Sequence, residues 1–461
     1  MADIHIVVLA AGKGTRMKSE VPKVLHRIAG VSILERVLRV SGSLEPGSTT
    51  IVVGHAAGKV RDHLSGRAGI EFTLQKEQKG TGHALLHTRQ ALERCHGTLI
   101  LLSGDVPLLK AATLRALVET HVAAEAAATV VTATVVRPFG YGRIVRSGGR
   151  MTRIVEERDA TPAQRKITEI NSGIYAFELE SLFKALDDIQ PANAQGEFYL
   201  PDLIGIYRKR RRAVATWTVT DADEIRGINS RSELAEVTQM VRQQKNEELM
   251  AAGVTLVDPA TTYVDSDVEV GADTVIHPCV MLEGATKVGA ACEIHAGARI
   301  VNSTIGDRVT IRNHTIINDS TVGSGAVLGP FAHIRPGTQI GPEAHVGNFV
   351  ELKQTSLGSG AKANHLSYLG DAEIGARTNI GAGTITCNYD GRQKHRTIIG
   401  SGAFVGSDST LVAPITIGDG SYIAAGSTIT DDVPAGALAI ARGRQENKSG
   451  WVEKRKSERS G

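Results

Sequence analysis

The sequence predicts a mixed α/β chain in two parts: an α/β domain built on a mostly parallel sheet, then an all-β parallel β-helix of hexapeptide repeats. Two observations carry this. First, aliphatic-glycine pairs recur at intervals of 17 or 18 residues, from Val270-Gly271 through Val288-Gly289, Ile305-Gly306, Val322-Gly323, Ile340-Gly341 and Leu357-Gly358 to Ile374-Gly375. In the most regular stretch an aliphatic falls at every sixth position: Val322, Leu328, Ile334, Ile340, Val346 and Leu352. Three such hexapeptides make one triangular turn, which buries its aliphatics against the turns above and below. Second, the residues before this repeat alternate strand-like and helix-like segments, the pattern of a layered α/β domain. A length of 461 residues agrees with two or three domains.

Taken in order, Ile4–Ala10 reads as a buried strand, 33–40 as a helix, and 50–53 and Thr98–Ser103 as further strands. Ligands of such sheets bind beyond the carboxyl ends of the strands. Two sharp loops, at Ala11 and at Gly104, fall at such ends. This first domain spans residues 1–229. Residues 230–252 contain neither glycine nor proline. Ser230 and Glu233 form a candidate capping box, Leu234, Val237 and Val241 share one helical face, and Gly253 is a stop, so this segment reads as a linker helix. The solenoid then occupies 253–441. Its one irregular interval runs 25 residues, from Ile374 to Ile399, about one hexapeptide more than a turn. The surplus falls at 386–396 and predicts an ejected loop held in place by the rungs below it. Residues 442–461 form a basic tail with seven Lys/Arg against three Asp/Glu. It reads either as a solvated terminus or as help in binding an anionic ligand.

Composition excludes several classes. A net charge of +3 and an aromatic content of 4% provide little for stacking on bases, so no nucleic-acid partner is expected. The four cysteines, Cys95, Cys279, Cys292 and Cys387, form no Cys-x-x-Cys pair and are too sparse for a disulfide scaffold. No stretch approaches the length of a membrane span. The apolar run 6–11 is too short for a signal peptide and leads straight into a glycine loop. These features describe a soluble protein of a reducing cytoplasm, with no membrane partner.

The first chemical candidate follows the first strand: Leu9-Ala10-Ala11-Gly12-Lys13-Gly14-Thr15-Arg16-Met17, then Pro22-Lys23. Glycines let backbone N–H groups approach a phosphate, and Lys23 can supply charge for a triphosphate. The alternative is a tight turn that uses glycine for packing only. The spacing matches neither the P-loop nor the dinucleotide fingerprint. Asp105 follows the strand Thr98–Ser103 at a ligand-facing end of the sheet, and by itself it reads as a turn former before Val106-Pro107. The second candidate lies in the solenoid. Arg335 and Lys353 each follow the first residue of a hexapeptide and stand 18 apart, which places them on adjacent rungs of one face, about 4.8 Å apart. Two cations so close repel unless an anion lies between them, so they read as a phosphate clamp; two solvated surface cations are the alternative. His365, about one turn on, is a candidate base, since a neutral imidazole can take a proton from an amine near neutral pH. Ser407 and Ala425 are again 18 apart and therefore stack.

Longer context sharpens both. Gly-x-Gly-Thr-Arg-Met followed by Pro-Lys is the signature of sugar-phosphate nucleotidyltransferases. Gln75, Gly80-Thr81-Gly82-His83-Ala84, Ser103-Gly104-Asp105-Val106-Pro107-Leu108, Gly140-Tyr141-Gly142-Arg143, Ile154-Val155-Glu156, Glu169-Ile170-Asn171-Ser172-Gly173 and Gly227-Ile228-Asn229 follow. With the hexapeptide solenoid behind it, the whole chain resembles the bacterial bifunctional N-acetylglucosamine-1-phosphate uridyltransferase/glucosamine-1-phosphate acetyltransferase family. The resemblance implies a Rossmann-like nucleotidyltransferase domain and a left-handed parallel β-helix. It implies acetyl transfer from acetyl-CoA to glucosamine-1-phosphate, then attack of N-acetylglucosamine-1-phosphate on UTP with release of pyrophosphate. It places Leu9, Ala10, Ala11, Gly12, Lys23 and Gly104 around the nucleotide, Gln75, Gly80 and Thr81 at the base, and Gly142, Glu156 and Asn171 at the acetamido sugar. It assigns Mg²⁺ to Asp105 and Asn229. Ser103 stands where many relatives carry Tyr; this is harmless if the backbone is used there and weakens nucleotide binding if the ring is.

In the solenoid the resemblance makes His365 the base that activates the 2-amine. Arg335, Lys353, Tyr368 and Asn379 become ligands or orienters of the sugar phosphate, as does the Asn388-Tyr389 loop, which also borders acetyl-CoA. Ala382, Ser407, Ala425 and Arg442 match acetyl-CoA positions, where small residues leave room for a pantetheine arm. The family's solenoids assemble as homotrimers with acetyl-transfer sites between subunits. Two rival readings are a nucleotidyltransferase for another sugar whose solenoid only oligomerises or regulates, and a non-catalytic assembly subunit. The first has no use for His365 and the clamp; the second would have lost Lys23, Asp105 or His365.

Overall fold

The computed structural model describes residues 3–459. The chain divides into two compact units between Val241 and Arg242.

The first unit is built on a sheet whose strands are β1 (Ile4–Ala10), β2 (Ser48–Val53), β3 (Ile70–Leu74), β4 (Thr98–Ser103), β5 (Ala128–Thr134), β6 (Arg143–Ser147), β7 (Arg150–Val155), β8 (Glu169–Glu178) and β9 (Val214–Val219). Across the sheet the order is β9-β5-β8-β4-β1-β2-β3, with β6 pairing β8 and β7. The pairs of β1 with β2 and β4, β2 with β3, and β9 with β5 are parallel; β8 runs antiparallel to both its neighbours. The central strands are buried on both faces, Val7 and Leu101 on one side, Val8 and Ile100 on the other, as a sheet covered by helices requires. Helix Ile33–Gly42 begins at a capping box between Ser32 and Glu35. The first loops leave β1 and β4 at their carboxyl ends, where a sheet of this kind opens to ligands.

Helix Arg231–Ala251 joins the units, and its capping box is built as its sequence suggests. The Ser230 N–H donates to Glu233 Oε2 at 3.0 Å and the Glu233 N–H to Ser230 Oγ at 3.2 Å. Val237 and Val241 pack with Ile28, Ile33 and Ile228 in the first unit. Leu249 belongs to the solenoid core, and Asn246 Nδ2 donates to the carbonyls of Pro259 and Thr262.

The second unit is a left-handed parallel β-helix of three sheets with eleven, ten and nine strands. One continuous apolar core runs through it, and Val322, Leu328, Ile334, Ile340, Val346 and Leu352 are all buried in it. The glycine after each aliphatic has a steric cause. A Cβ on Gly323 would lie 2.5 Å from the backbone N of Pro342, and one on Gly341 2.7 Å from that of Ser359. The next coil passes too close for any side chain. Where the interval lengthens, the ejected segment is shorter than 386–396. Thr386 and Cys387 stay in the rung, paired with Leu411 and Val412, so the excursion begins at Asn388. Their ladder bonds hold them in the sheet; the sequence interval counts residues and cannot register that. The excursion closes as a small antiparallel hairpin, with Tyr389 bridged to Lys394 and the His395 N–H donating to the Asn388 carbonyl at 2.8 Å. The tail contains an exposed helix, Trp451–Ser457. Among the described residues, no helix is long and apolar enough to cross a membrane.

Candidate active sites

In the first unit, the loop after β1 separates the two roles of its glycines. A Cβ on Gly14 would meet Lys23 Cβ at 2.8 Å, so Gly14 serves packing. Gly12 has open space around it and lines a cavity of about 1100 Å³, so packing does not explain it. Leu9, Ala11, Gln75, Gly80, Thr81 and Glu156 line the same cavity. Gly80 lies at φ +103°, and a Cβ there would approach the Phe198 carbonyl oxygen to 2.6 Å. Gln75 is buried at the end of β3, and its Nε2 donates to the Gly80 carbonyl at 3.2 Å. This leaves Oε1 as an acceptor. Ala10 and Gly104 are backbone positions rather than lining side chains: Ala10 is buried, and a Cβ on Gly104 would crowd the Leu9 carbonyl at 3.0 Å.

A smaller compartment of about 210 Å³ is lined by Ser103, Gly142, Glu156 and Asn171. The register of β8 slips between Asn171 and Tyr175, and Gly173 takes φ +78°. Such a bulge redirects side chains toward one end of a sheet. A Cβ on Gly142 would meet Glu156 Oε1 at 3.0 Å and Asn171 Cβ at 3.4 Å, so these three residues share one surface. Burial raises the Glu156 carboxyl above its ordinary value, and Asp159 and Asp202 add to the shift. Hydroxyl donors would stabilise its charged form. Sequence reading missed what fixes this loop. The buried Arg143 donates to Glu157 Oε2 at 2.6 Å, and the same oxygen accepts from the Gly140 N–H at 3.1 Å. It also missed Arg158 and Arg165, which line the larger cavity together with Arg16 of the glycine-loop signature. A lone arginine in a loop carries no spacing signal.

Lys23, Asp105 and Asn229 come from three distant segments and meet. Lys23 Nζ donates to Asp105 Oδ2 at 2.5 Å and to Asn229 Oδ1 at 3.1 Å. Two hard oxygens thus converge on one cation, a donor set that suits a small divalent ion as well as an ammonium.

In the solenoid, Ile334 pairs with Leu352, so Arg335 and Lys353 stand on successive rungs of one face. The repulsion expected between them is relieved within the chain. Arg335 Nη1 donates to Glu351 Oε1 at 2.7 Å, and Lys353 Nζ lies 3.9 Å from Asp371 Oδ2. Stacking of these two cations therefore does not by itself demand an anion, because each has its own carboxylate. The hairpin restores the excess of positive charge: Lys394 faces Lys353, and this contact lowers the Lys394 pKa. Asn388 Nδ2 donates to Asp371. A Cβ on Gly370 would clash with Tyr368 Oη and Asn388 Nδ2, so Gly370, Tyr368 and Asn388 meet around one point.

His365 is exposed at the end of strand Lys362–His365. It pairs in register with Asn348 one rung below, and its Nδ1 lies 2.9 Å from Asn348 Oδ1. The pairs Ala363–Ile380, Ile380–Val405 and Val405–Ile423 extend that column through Ala382, Ser407 and Ala425. Arg442 Nη1 donates to the Ala425 carbonyl at 2.9 Å. One file of small residues therefore leads from the histidine to an arginine. Tyr389 is exposed on the hairpin and donates to the Gly391 carbonyl. Asn379 is not brought to the clamp. It pairs with Lys362 in the sheet of His365, while Arg335, Lys353 and Tyr368 belong to the next face.

The fold and the two sites define a class: a nucleotidyltransferase unit joined to a hexapeptide-repeat transferase. The MobA-like NTP transferase domain family matches residues 6–190, the GMPPB C-terminal domain family 259–337, and the bacterial transferase hexapeptide (six repeats) 396–431. The chain is 49% identical to the bifunctional protein GlmU of Trichlorobacter lovleyi, over 99% of each chain. It is 50% identical to that of Koribacter versatilis, over 98% of this chain and 97% of the relative. It is 46% identical to that of Shouchella clausii, over 98% of this chain and the whole of the relative. The chain belongs to the family of the bifunctional protein GlmU. It is accordingly both a uridyltransferase and an acetyltransferase of UDP-N-acetylglucosamine synthesis.

Proposed function

We propose that the solenoid first makes N-acetylglucosamine-1-phosphate and that the amino-terminal domain, residues 1–229 of the first unit, then joins this product to UTP. The observation that carries the acetyl-transfer half is the file Asn348, His365, Ala382, Ser407, Ala425. With Nδ1–H donating to Asn348, His365 keeps a lone pair on Nε2. That nitrogen takes the proton from the glucosamine 2-amine as the amine attacks the acetyl thioester. The file of small residues accepts the pantetheine arm, ending at Arg442. Arg335, Lys353 and Lys394 hold the sugar phosphate, with Tyr368, Asn388 and Tyr389 around it. Asn379 lies on a different face from the clamp. The division of these residues between two adjoining faces supports a homotrimer with sites shared between neighbouring solenoids.

In the uridyl-transfer site, the loop 9–14 and Lys23 take the triphosphate, Gln75, Gly80 and Thr81 the uracil, and Gly142, Glu156 and Asn171 the acetamido sugar. Asp105 and Asn229 would hold Mg²⁺, which supplies charge neutralisation to the phosphates when bound. The residues of this unit contribute alignment of the sugar phosphate against the α-phosphate, and no protein nucleophile is needed.

Paired variants test the assignment. His365→Ala should lower acetyl-CoA-dependent thiol release by about 10²–10⁴-fold and leave UTP-dependent pyrophosphate release intact. Asp105→Ala should do the reverse. Equal loss of both activities in either folded variant would refute two independent sites.

A further inference from the structure

Three side chains near the start of the solenoid converge without serving either reaction. His277 and His295 directly follow the paired strands Val275–Ile276 and Glu293–Ile294, so they stand one above the other on adjacent rungs. Their rings stack 4.8 Å apart at an interplanar angle of 9°. Glu293 Oε1 lies 3.4 Å from His277 Nε2 and 3.5 Å from His295 Nε2. The three potential ligand atoms all fall within 4.8 Å of one another. His277 Nε2 is sealed from solvent and has no hydrogen-bond partner among the described residues; the nearby carboxylate does not complete a bond to it. A buried ring nitrogen left in this state needs an explanation.

We propose that His277, His295 and Glu293 form a binding site for a divalent transition-metal ion of the zinc type. Two imidazole nitrogens and one carboxylate oxygen suit zinc and its neighbours and do not suit magnesium, which takes oxygen ligands. In a tetrahedral shell with Zn–N bonds of about 2.05 Å, the two nitrogens would lie roughly 3.3 Å apart. The rings reach that spacing by swinging toward each other about their side-chain bonds. Both have room to do so, with side-chain exposures of 30% and 29%. Along the same column, Val257 precedes the pair and Arg312 follows it. Neither is a metal ligand, so the site is confined to two rungs and keeps a fourth position for water. An ion held there would tie consecutive coils where the solenoid begins. Nothing in this depends on the nucleotide or acetyl-transfer assignments.

The test uses untagged full-length protein, stripped of metals by a chelator and titrated with Zn²⁺ and with Co²⁺. The expected result is one saturable ion per chain, a Co²⁺ visible spectrum of tetrahedral type, and a melting temperature that rises with free Zn²⁺. His277→Ala and His295→Ala should each weaken the affinity by more than about tenfold, the loss that changes behind a ligand already produce. Glu293→Gln keeps the shape of the site and should weaken it too. Both enzymatic activities, measured without Zn²⁺, report that each variant is folded. Absence of saturable Zn²⁺ binding to the wild type, or equal affinity in the wild type and both histidine variants, overturns the proposal.

Discussion

His365 does not orient itself. Its Nδ1 is engaged by Asn348 Oδ1, and this contact selects which ring nitrogen is free to act as a base. Asn348 carries no motif, and its role follows only from its place one rung below. Asn348→Ala should lower kcat for acetyl transfer by about 10²-fold, the cost of a misplacement of roughly 1 Å, while KM for glucosamine-1-phosphate stays unchanged. Asn348→Asp keeps an acceptor for Nδ1–H and should recover much of the rate. A KM effect with unchanged kcat would show that Asn348 binds substrate instead of positioning the base. Steady-state kinetics of both variants decide this. The glycines make a similar point in the other unit: Gly14 answers to the stem of Lys23, whereas Gly12 answers to no neighbour.

The hairpin that begins at Asn388 is the element that brings a third cation, Lys394, to the proposed clamp. It is braced from within. Asp390 accepts from the Arg392 and Gln393 N–H groups at 2.7 Å each and from His395 Nε2 at 2.8 Å, and these bonds hold its carboxyl well below the usual carboxylate range. The hairpin so braced carries Lys394 against Lys353, and this contact lowers the Lys394 pKa. A lysine with a lowered pKa loses its charge at a lower pH than an ordinary lysine. Affinity for the sugar phosphate should therefore fall as the pH rises, starting below the ordinary lysine range near 10.4. Lys394→Gln should weaken binding at neutral pH and flatten that fall. A binding titration across pH checks it: an unchanged profile in the variant would remove Lys394 from the phosphate site. In the first unit the pairing of β8 with β6 does the comparable work, since the Asn171 N–H donates to the Gly142 carbonyl at 2.8 Å and so holds Asn171 beside Gly142 and Glu156.

At the scale of the whole molecule, the solenoid distributes its chemistry over two faces. His365 and Asn379 lie in one sheet, and Arg335, Lys353 and Tyr368 in the next. If neighbouring subunits close the site, two dead variants should rescue each other. Unfolding and refolding a mixture of His365→Ala and Arg335→Ala should form some sites with both residues intact, so acetyl transfer should reappear above the level of either variant alone. This outcome requires that the two residues come from different chains; if they serve from the same chain, mixing should restore nothing. Native mass measurement of the wild type should at the same time give three chains.

Periodicity determined that the second unit is a triangular coil, because an aliphatic at every sixth residue must be buried against the turns above and below. It also determined the stacking of Arg335 on Lys353 and of Ser407 on Ala425, since register follows from spacing once the winding is known. The strands Ile4–Ala10 and Thr98–Ser103 were equally readable as continuous apolar runs. Tertiary structure decided what spacing cannot carry. Lys23, Asp105 and Asn229 meet from three segments, Arg143 pins the loop at Gly142 through Glu157, and the hairpin delivers Lys394 to Lys353. The convergence of His277, Glu293 and His295 was within reach of the repeat but gives no signal until side chains are placed. Sequence separation fixes distance only inside a regular repeat. Across loops and between strands of an open sheet, proximity is set by how the chain packs, and the chemistry of both sites depends on that packing.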